Sequence, residues 1–283
     1  RLNVTDSGDL SYEKAFSFDV NDINEAPNDI KVYVSSFDEN IDAVSVVSVF
    51  EGVDPDEFDA NEISLVSGDG DTDNSLFLLI NNILILKSVP DYEKKSSYNI
   101  RLQAIDDSDL SYEEAITLTV NDINEAPTDI DLSRDSFDEN ISSGVSIATL
   151  SSIDQDQDDS KMYSLVAGNG STDNELFTID GDQLIISESP DHETKSSYTV
   201  RLKVIDSGDL SYEQPFNLLV NDVNESPSDI RLSKDVFKEN VTGFSVISNF
   251  LYTDPDSGDS QSYSFARGEG DTDNHLFTIF GRN

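Results

Sequence analysis

The chain repeats itself without gaps. RLNVTDSGDLSYE at position 1 returns as RLQAIDDSDLSYE at 101 and RLKVIDSGDLSYE at 201. SFDEN at 36 and 136 returns as VFKEN at 236, and DPD at 54 as DQD at 154 and DPD at 254. TDNSLF, TDNELF and TDNHLF follow at 72, 172 and 272. A fixed period of this kind means tandem copies of one folding unit, each able to bury its own core. The recurring proline of NDINEAP (21–27 and 121–127) and NDVNESP (221–227) sets the frame. Residues 28–127 and 128–227 are then complete repeats. Residues 1–27 form the C-terminal part of a preceding repeat, and 228–283 the N-terminal part of a following one. The flanks lack a full core, so the chain reads as a stretch of a longer array.

Within a repeat the pattern is β. SYNIRLQAI (97–105) alternates Tyr98, Ile100, Leu102 and Ala104 against Asn99, Arg101 and Gln103, and AITLTV (115–120) alternates in the same way. Period two marks half-buried strands, and no segment of period 3.6 competes. Strands are predicted near 30–35, 43–50, 62–67, 75–80, 83–87, 97–105 and 113–121. Seven short strands in about 100 residues predict an all-β, Ig-like Greek-key sandwich.

The chain carries 58 acids against 17 Lys and Arg, a formal net charge of −41. Binding phosphate needs clustered cations, so nucleic acid is excluded and anionic membrane is disfavoured. With 36% hydrophobic residues placed periodically, the charge does not signal disorder. Cysteine is absent, which removes disulfides and thiolate metal sites. The longest apolar run, LFLLINNILIL (76–86), is too short to span a membrane.

Acids on a solvated surface would drift between copies, and some do: Asp38 and Asp138 become Lys238. Others hold their place. They are Glu39, Glu139 and Glu239 of E-N, and Asp54/Asp56, Asp154/Asp156 and Asp254/Asp256 of D-x-D. Asp91/Glu93 and Asp191/Glu193 of D-[YH]-E, and Asp6, Asp106 and Asp206 at a strand end, behave alike. So do the linker acids Asp22/Glu25, Asp122/Glu125 and Asp222/Glu225.

E-N, D-x-D, D-[YH]-E, V-x-x-x-D and D-x-N-E-A-P in this order resemble the calcium-binding signature of cadherin repeats. The linker form is similar to that of cadherin-like domains in large bacterial surface proteins. The resemblance covers the whole chain and implies calcium held between successive repeats. At Pro127 it assigns Glu39, Asp91, Glu93, Asp122, Asn124 and Glu125 from upstream, with Asp154, Asp156 and Asp206 from downstream. At Pro227 it assigns Glu139, Asp191, Glu193, Asp222, Asn224 and Glu225 with Asp254 and Asp256. At Pro27 the upstream residues are Asp22, Asn24 and Glu25, and Asp54, Asp56 and Asp106 answer them from downstream. The donor chemistry agrees, since calcium takes six to eight oxygen ligands whereas zinc prefers His or Cys. Carboxylates about 5 Å apart at an effective dielectric of ~20 repel by roughly 3 kcal/mol per pair. A cation-free junction should splay, and calcium should stiffen it.

The chain also departs from animal cadherins. Its linker is one residue shorter, with Glu where Asp-Asn is usual, and Ala60, Ser160 and Ser260 replace an expected Asn. Trp is absent, so tryptophan strand exchange has no support.

The implied role is a calcium-rigidified extracellular array for adhesion or surface structure, in a large secreted or membrane-anchored protein. Its partners would be other cell-surface proteins, homophilic contacts included, or surface polysaccharide. Carbohydrate-binding or passive spacer modules within a larger extracellular enzyme or adhesin stay open as alternatives. No catalytic constellation is present. DGDTDN (69–74) lacks the Gly and Glu of an EF-hand loop and reads as a polar turn. SGDLSYE reads as a hairpin turn. His192 stands where the preceding repeat has Tyr92, and both it and His275 read as surface residues.

Overall fold

The computed structural model describes residues 1–56, 62–156 and 159–281; Ala60 lies outside them. Arg1–Asn124 and Glu125–Asn283 form two compact units.

Unit 1 opens with a hairpin of β1 (Leu2–Thr5) and β2 (Ser11–Lys14). There follow β3 (Asp29–Val32), β4 (Ser36–Asp38), β5 (Val46–Val53), β6 (Glu62–Leu65), β7 (Phe77–Ile80), β8 (Ile83–Leu86), β9 (Ser97–Ile105) and β10 (Ser111–Asn121). They build two four-stranded sheets, ordered β3-β5-β8-β7 and β4-β10-β9-β6. The alternation in β9 and β10 sorts side chains as expected: Ile100, Leu102, Ala104 and Leu118 are fully buried, while Thr117 and Thr119 are exposed. Together with Ile30, Phe50, Phe77, Leu84 and Leu86 they form one core between the sheets.

Unit 2 repeats this plan with β11 (Asp129–Leu132), β12 (Ser136–Asp138), β13 (Ser146–Ile153), β14 (Met162–Leu165), β15 (Phe177–Asp180), β16 (Gln183–Ile186), β17 (Ser197–Ile205) and β18 (Ser211–Asn221). Its sheets run β11-β13-β16-β15 and β12-β18-β17-β14 around an equivalent core. A further pair, β19 (Asp229–Leu232) and β20 (Phe250–Thr253), completes the unit. Among the described residues no helix is long and apolar enough to cross a membrane.

One expected strand differs. The segment predicted as one strand over 30–35 ends at Val32 as β3, which pairs antiparallel with β5, and a separate short strand that was not predicted, β4, follows in the other sheet, parallel to β10. Both strands bury a side chain, Ile30 and Phe37, in the same core. The parallel pairing matters for function. It brings the C-terminal ends of β4 and β10 together, Asp38 opposite Asn121, so that Glu39 and Asp122 leave the sheet at the same end. β9 runs antiparallel to β10, so its start at Ser97, just after Asp91 and Glu93, lies at that end too. Its finish, followed by Asp106, lies at the other.

The T-D-N turn has a definite structural role. The buried Asp73 carboxylate accepts the Asn99 amide at 2.8 Å and lies 3.0 Å from the Lys95 ammonium. Asn74 donates its side-chain amide to the Val66 carbonyl and accepts the Arg101 amide. Asp173 and Asn174 repeat these bonds on Thr199, Lys195, Val166 and Arg201. The polar turn is thereby stitched to a central strand. Gly70 and Gly170 take φ of +91° and +84° here, where a Cβ would meet Ala115 and Pro215 at 2.7 and 2.6 Å.

Candidate cation sites at the ends of the repeats

Nearly all the recurring acids lie close to a strand end, in the turns that lead into β9 and β17, or in the linkers, and most already accept backbone amides. Glu39, 3% exposed, accepts the Tyr92 amide on Oε2 at 2.8 Å and the Ile123 amide on Oε1 at 2.9 Å. Glu139, 2% exposed, takes the His192 and Val223 amides at 2.7 and 2.8 Å. This glutamate therefore ties the D-[YH]-E turn to the linker while its remaining lone pairs face the acids around it. Asp91 and Asp191 cap their own turn, accepting the amides of Lys94 and Thr194. The hydrogen bonds from Lys94 and Thr194, respectively, hold these two carboxyls below the usual range.

The strand-end acid has two uses. Oδ1 of Asp106 accepts the Ser108 and Leu110 amides at 2.8 Å each, closing the hairpin turn. Its Oδ2 accepts the Asn24 side chain at 2.9 Å. Burial pushes the Asp106 carboxyl up, but Asn24 and the turn amides outweigh it, and the net shift is downward. Oδ1 of Asp206 closes the same turn on Gly208 and Leu210.

In D-x-D the first acid orients the second. Asp54, Asp154 and Asp254 each accept, on Oδ1, the amide of the acid two residues on. That second acid then receives the linker. Glu25 donates its amide to Asp56, Glu125 to Asp156 and Glu225 to Asp256, at 2.7, 2.7 and 2.6 Å. Asn24 and Asn224 donate to the carbonyl of the following glutamate.

The predicted residues gather within each unit as follows. In unit 1, Glu39, Asp91 and Glu93 bring three carboxylate oxygens within 4.8 Å of one another, and Asp22, Glu25 and Asp56 do the same at Pro27. Asp122 lies exposed just beyond β10, and Asn124 is half-buried. At Pro227, inside unit 2, Glu139, Glu193, Asp222 and Asp256 bring four within that distance. Asp254 joins this group through the Asp256 amide, while Asp191 caps the turn that carries Glu193 and Asn224 bonds to the Glu225 carbonyl. Burial and the neighbouring Asp256 and Glu193 push the Asp222 carboxyl up, against the pull of His192. The Asn140 side chain draws Glu225 down, but burial and the charges of Glu139, Glu193 and Asp256 prevail and raise it. Burial likewise raises Asp154.

Buried carboxylate oxygens with no hydrogen-bond donor include Oδ2 of Asp54 and Asp154, Oε2 of Glu225 and Oδ1 of Asp256. Desolvated anionic oxygens without donors are costly unless a cation meets them. The donor set is hard oxygen throughout, in the number and variety that suits calcium. The residues present fit the ion.

Two residues at these sites were not assigned to them from sequence. Asn140 donates its side chain to Glu225 at 2.6 Å. It holds φ of +59°, as Asn40 and Asn240 hold +58° and +61°, a conformation Asn tolerates best among non-glycine residues. The recurrence of Asn in E-N carried this signal. His192, expected on the open surface, is half-buried with Nδ1 3.3 Å from Glu193 and 3.7 Å from Asp222.

Comparison with known proteins gives this geometry a family. No family model matches the chain. Human protocadherin-23 is 30% identical over 293 aligned residues, which take in 98% of this chain. The chain belongs to the cadherin repeat family. Caenorhabditis elegans cadherin-4 is 24% identical over 90% of the chain. The chain spans only 8% and 6% of the length of these two relatives. The crystal structure of the protocadherin γB4 extracellular domain superposes with a TM-score of 0.58 at 21% identity, covering 88% of this chain and 41% of that one. Human protocadherin-24 EC1-2 gives 0.57 at 18% identity, covering 71% of this chain and 100% of that one. Both structural likenesses show the shared tandem β-sandwich fold. The γB4 structure is that of an extracellular domain.

Proposed function

We propose that the chain is a calcium-rigidified segment of a large cell-surface or secreted adhesion protein, in which 28–127 and 128–227 are the complete repeats. Calcium would be held by Glu139, Asp191, Glu193, Asp222, Asn224, Glu225, Asp254 and Asp256 at Pro227. Asp22, Asn24, Glu25, Asp54, Asp56 and Asp106 would serve at Pro27. Glu39, Asp91, Glu93, Asp122, Asn124 and Glu125, with Asp154, Asp156 and Asp206, would serve at Pro127.

The observation that carries the reading is the group at Pro227. Four carboxylates converge there, one of them Asp256, 7% exposed, with an oxygen that no donor meets. The chain's own residues do the positioning. Glu139 clamps turn to linker, Asp254 orients Asp256, and the Glu225 amide fixes Asp256 against the linker. Bound calcium would supply the positive charge that turns this repulsion into a joint. Stiff modules in series extend reach, and partners at their surface would be other cell-surface proteins, further copies of this chain among them.

Calorimetric titration of the chain with calcium tests the proposal. Binding below millimolar calcium is expected, with fewer sites in Asp256→Asn. No heat at millimolar calcium would end it.

A further inference from the structure

The Pro227 group differs from its counterparts by one side chain. Where the preceding repeat places Tyr92 between Asp91 and Glu93, this one places His192 between Asp191 and Glu193. The imidazole does not turn away to solvent. Its Nδ1 stands 3.3 Å from Oε1 of Glu193 and 3.7 Å from Oδ2 of Asp222. Three donor atoms of these residues lie within 4.8 Å of one another. A tetrahedral ion with ligands at about 2.0–2.1 Å sets its donors about 3.4 Å apart, so little movement is needed to close on it. The backbone amide of His192 is fixed on the buried Glu139, which holds the imidazole at this end of the repeat.

A second observation marks the place as one that receives a cation. Glu193 and Asp222 also share the four-carboxylate group with Asp256, which is 7% exposed and has Oδ1 without a donor. Calcium answers such oxygens but gains little from a nitrogen ligand. Imidazole with carboxylates suits borderline transition ions, zinc foremost.

We infer that His192, Glu193 and Asp222 form a binding site for a borderline divalent transition metal, for which zinc is the probe, present at Pro227 and absent from the Tyr92 repeat. The inference rests on the same cluster as the calcium reading but on a different donor. A zinc-sensitive joint would let transition-metal concentration tune one point of the array. Since Glu193 and Asp222 belong to both sets, zinc would compete with calcium there.

The test is titration of the whole chain with zinc, and separately with cobalt(II), whose d–d absorption shifts and intensifies when imidazole joins a four- or five-coordinate site. His192→Tyr restores the side chain of the preceding repeat and keeps the amide bond to Glu139. His275→Ser, matching Ser75, removes the other histidine. The expected result is at least a tenfold loss of zinc affinity and loss of the cobalt band in His192→Tyr, with both retained in His275→Ser. Calcium affinity should stay within about twofold in either variant. Equal zinc binding in His192→Tyr and the unchanged chain, or none in both, overturns the inference. Normal calcium binding in that event leaves the calcium reading standing, whereas absent calcium binding alongside intact zinc binding removes the calcium reading alone.

Discussion

Replacing Glu139 with Gln changes one atom and isolates what the buried glutamate does. Both carboxylate oxygens are occupied, by the His192 amide at 2.7 Å and the Val223 amide at 2.8 Å, and the side chain is 2% exposed. Gln offers one acceptor and turns an NH2 toward the second amide. One charge-assisted bond is lost, about 1.5–3 kcal/mol, and one buried N–H is left unmet, about 1–3 kcal/mol. The net local cost is about 2.5–6 kcal/mol, a roughly seventy-fold to 25,000-fold loss of amide protection. In chelator the lower end is expected, because removing this charge also relieves repulsion from Glu193, Asp222 and Asp256. In calcium the upper end is expected. Hydrogen exchange read residue by residue is the assay, since opening of one linker need not unfold the chain. The Tyr92 and Ile123 amides, held identically by Glu39, serve as internal controls and should keep their protection. Unchanged exchange at His192 and Val223 would refute the clamp.

Three further outcomes follow from other residues. Burial would raise the Asp173 carboxyl, but Lys195 and the Thr199 amide outweigh it and hold the group low. The stability it contributes is therefore present above the ordinary carboxylate range and is lost as pH falls through the depressed value; Asp173→Asn should cost about 1–3 kcal/mol at neutral pH and flatten that acid limb in thermal melts. Gly170→Ala should lower the melting temperature measurably, because φ of +84° adds about 1–2 kcal/mol of strain to the clash with Pro215. Asp222 and Glu225 are raised from ordinary values of 3.8 and 4.5, so they take up protons first as pH falls toward that range. Calorimetry should accordingly show calcium affinity falling on acidification, while the ion-free joint becomes more stable over the same window.

Much of the fold was legible because its signal is redundant. The alternation of Tyr98, Ile100, Leu102 and Ala104 leaves one way to bury a strand, and the copies repeat the message. The short strand β4 was not legible, since Phe37 is its one apolar side chain, it feeds the same core as Ile30, and hydrophobicity does not say which sheet a backbone joins. The acids were found because they do not drift between copies, but their backbone duties were hidden. Asp106 and Glu39 are needed by turn and linker amides whether or not an ion is bound, so recurrence alone could not separate the two roles. His192 was passed over for the opposite reason: it recurs nowhere, and its proximity to Asp222 depends on the turn and the end of β18 meeting in space.

Calcium is proposed to stiffen the joints between repeats. Small-angle X-ray scattering of the chain, in millimolar calcium and then in chelator, addresses it directly. One sharp, longer maximum dimension is expected in calcium and a shorter, broad distribution after chelation, with the first restored when calcium is returned. Identical profiles in the two conditions would contradict it.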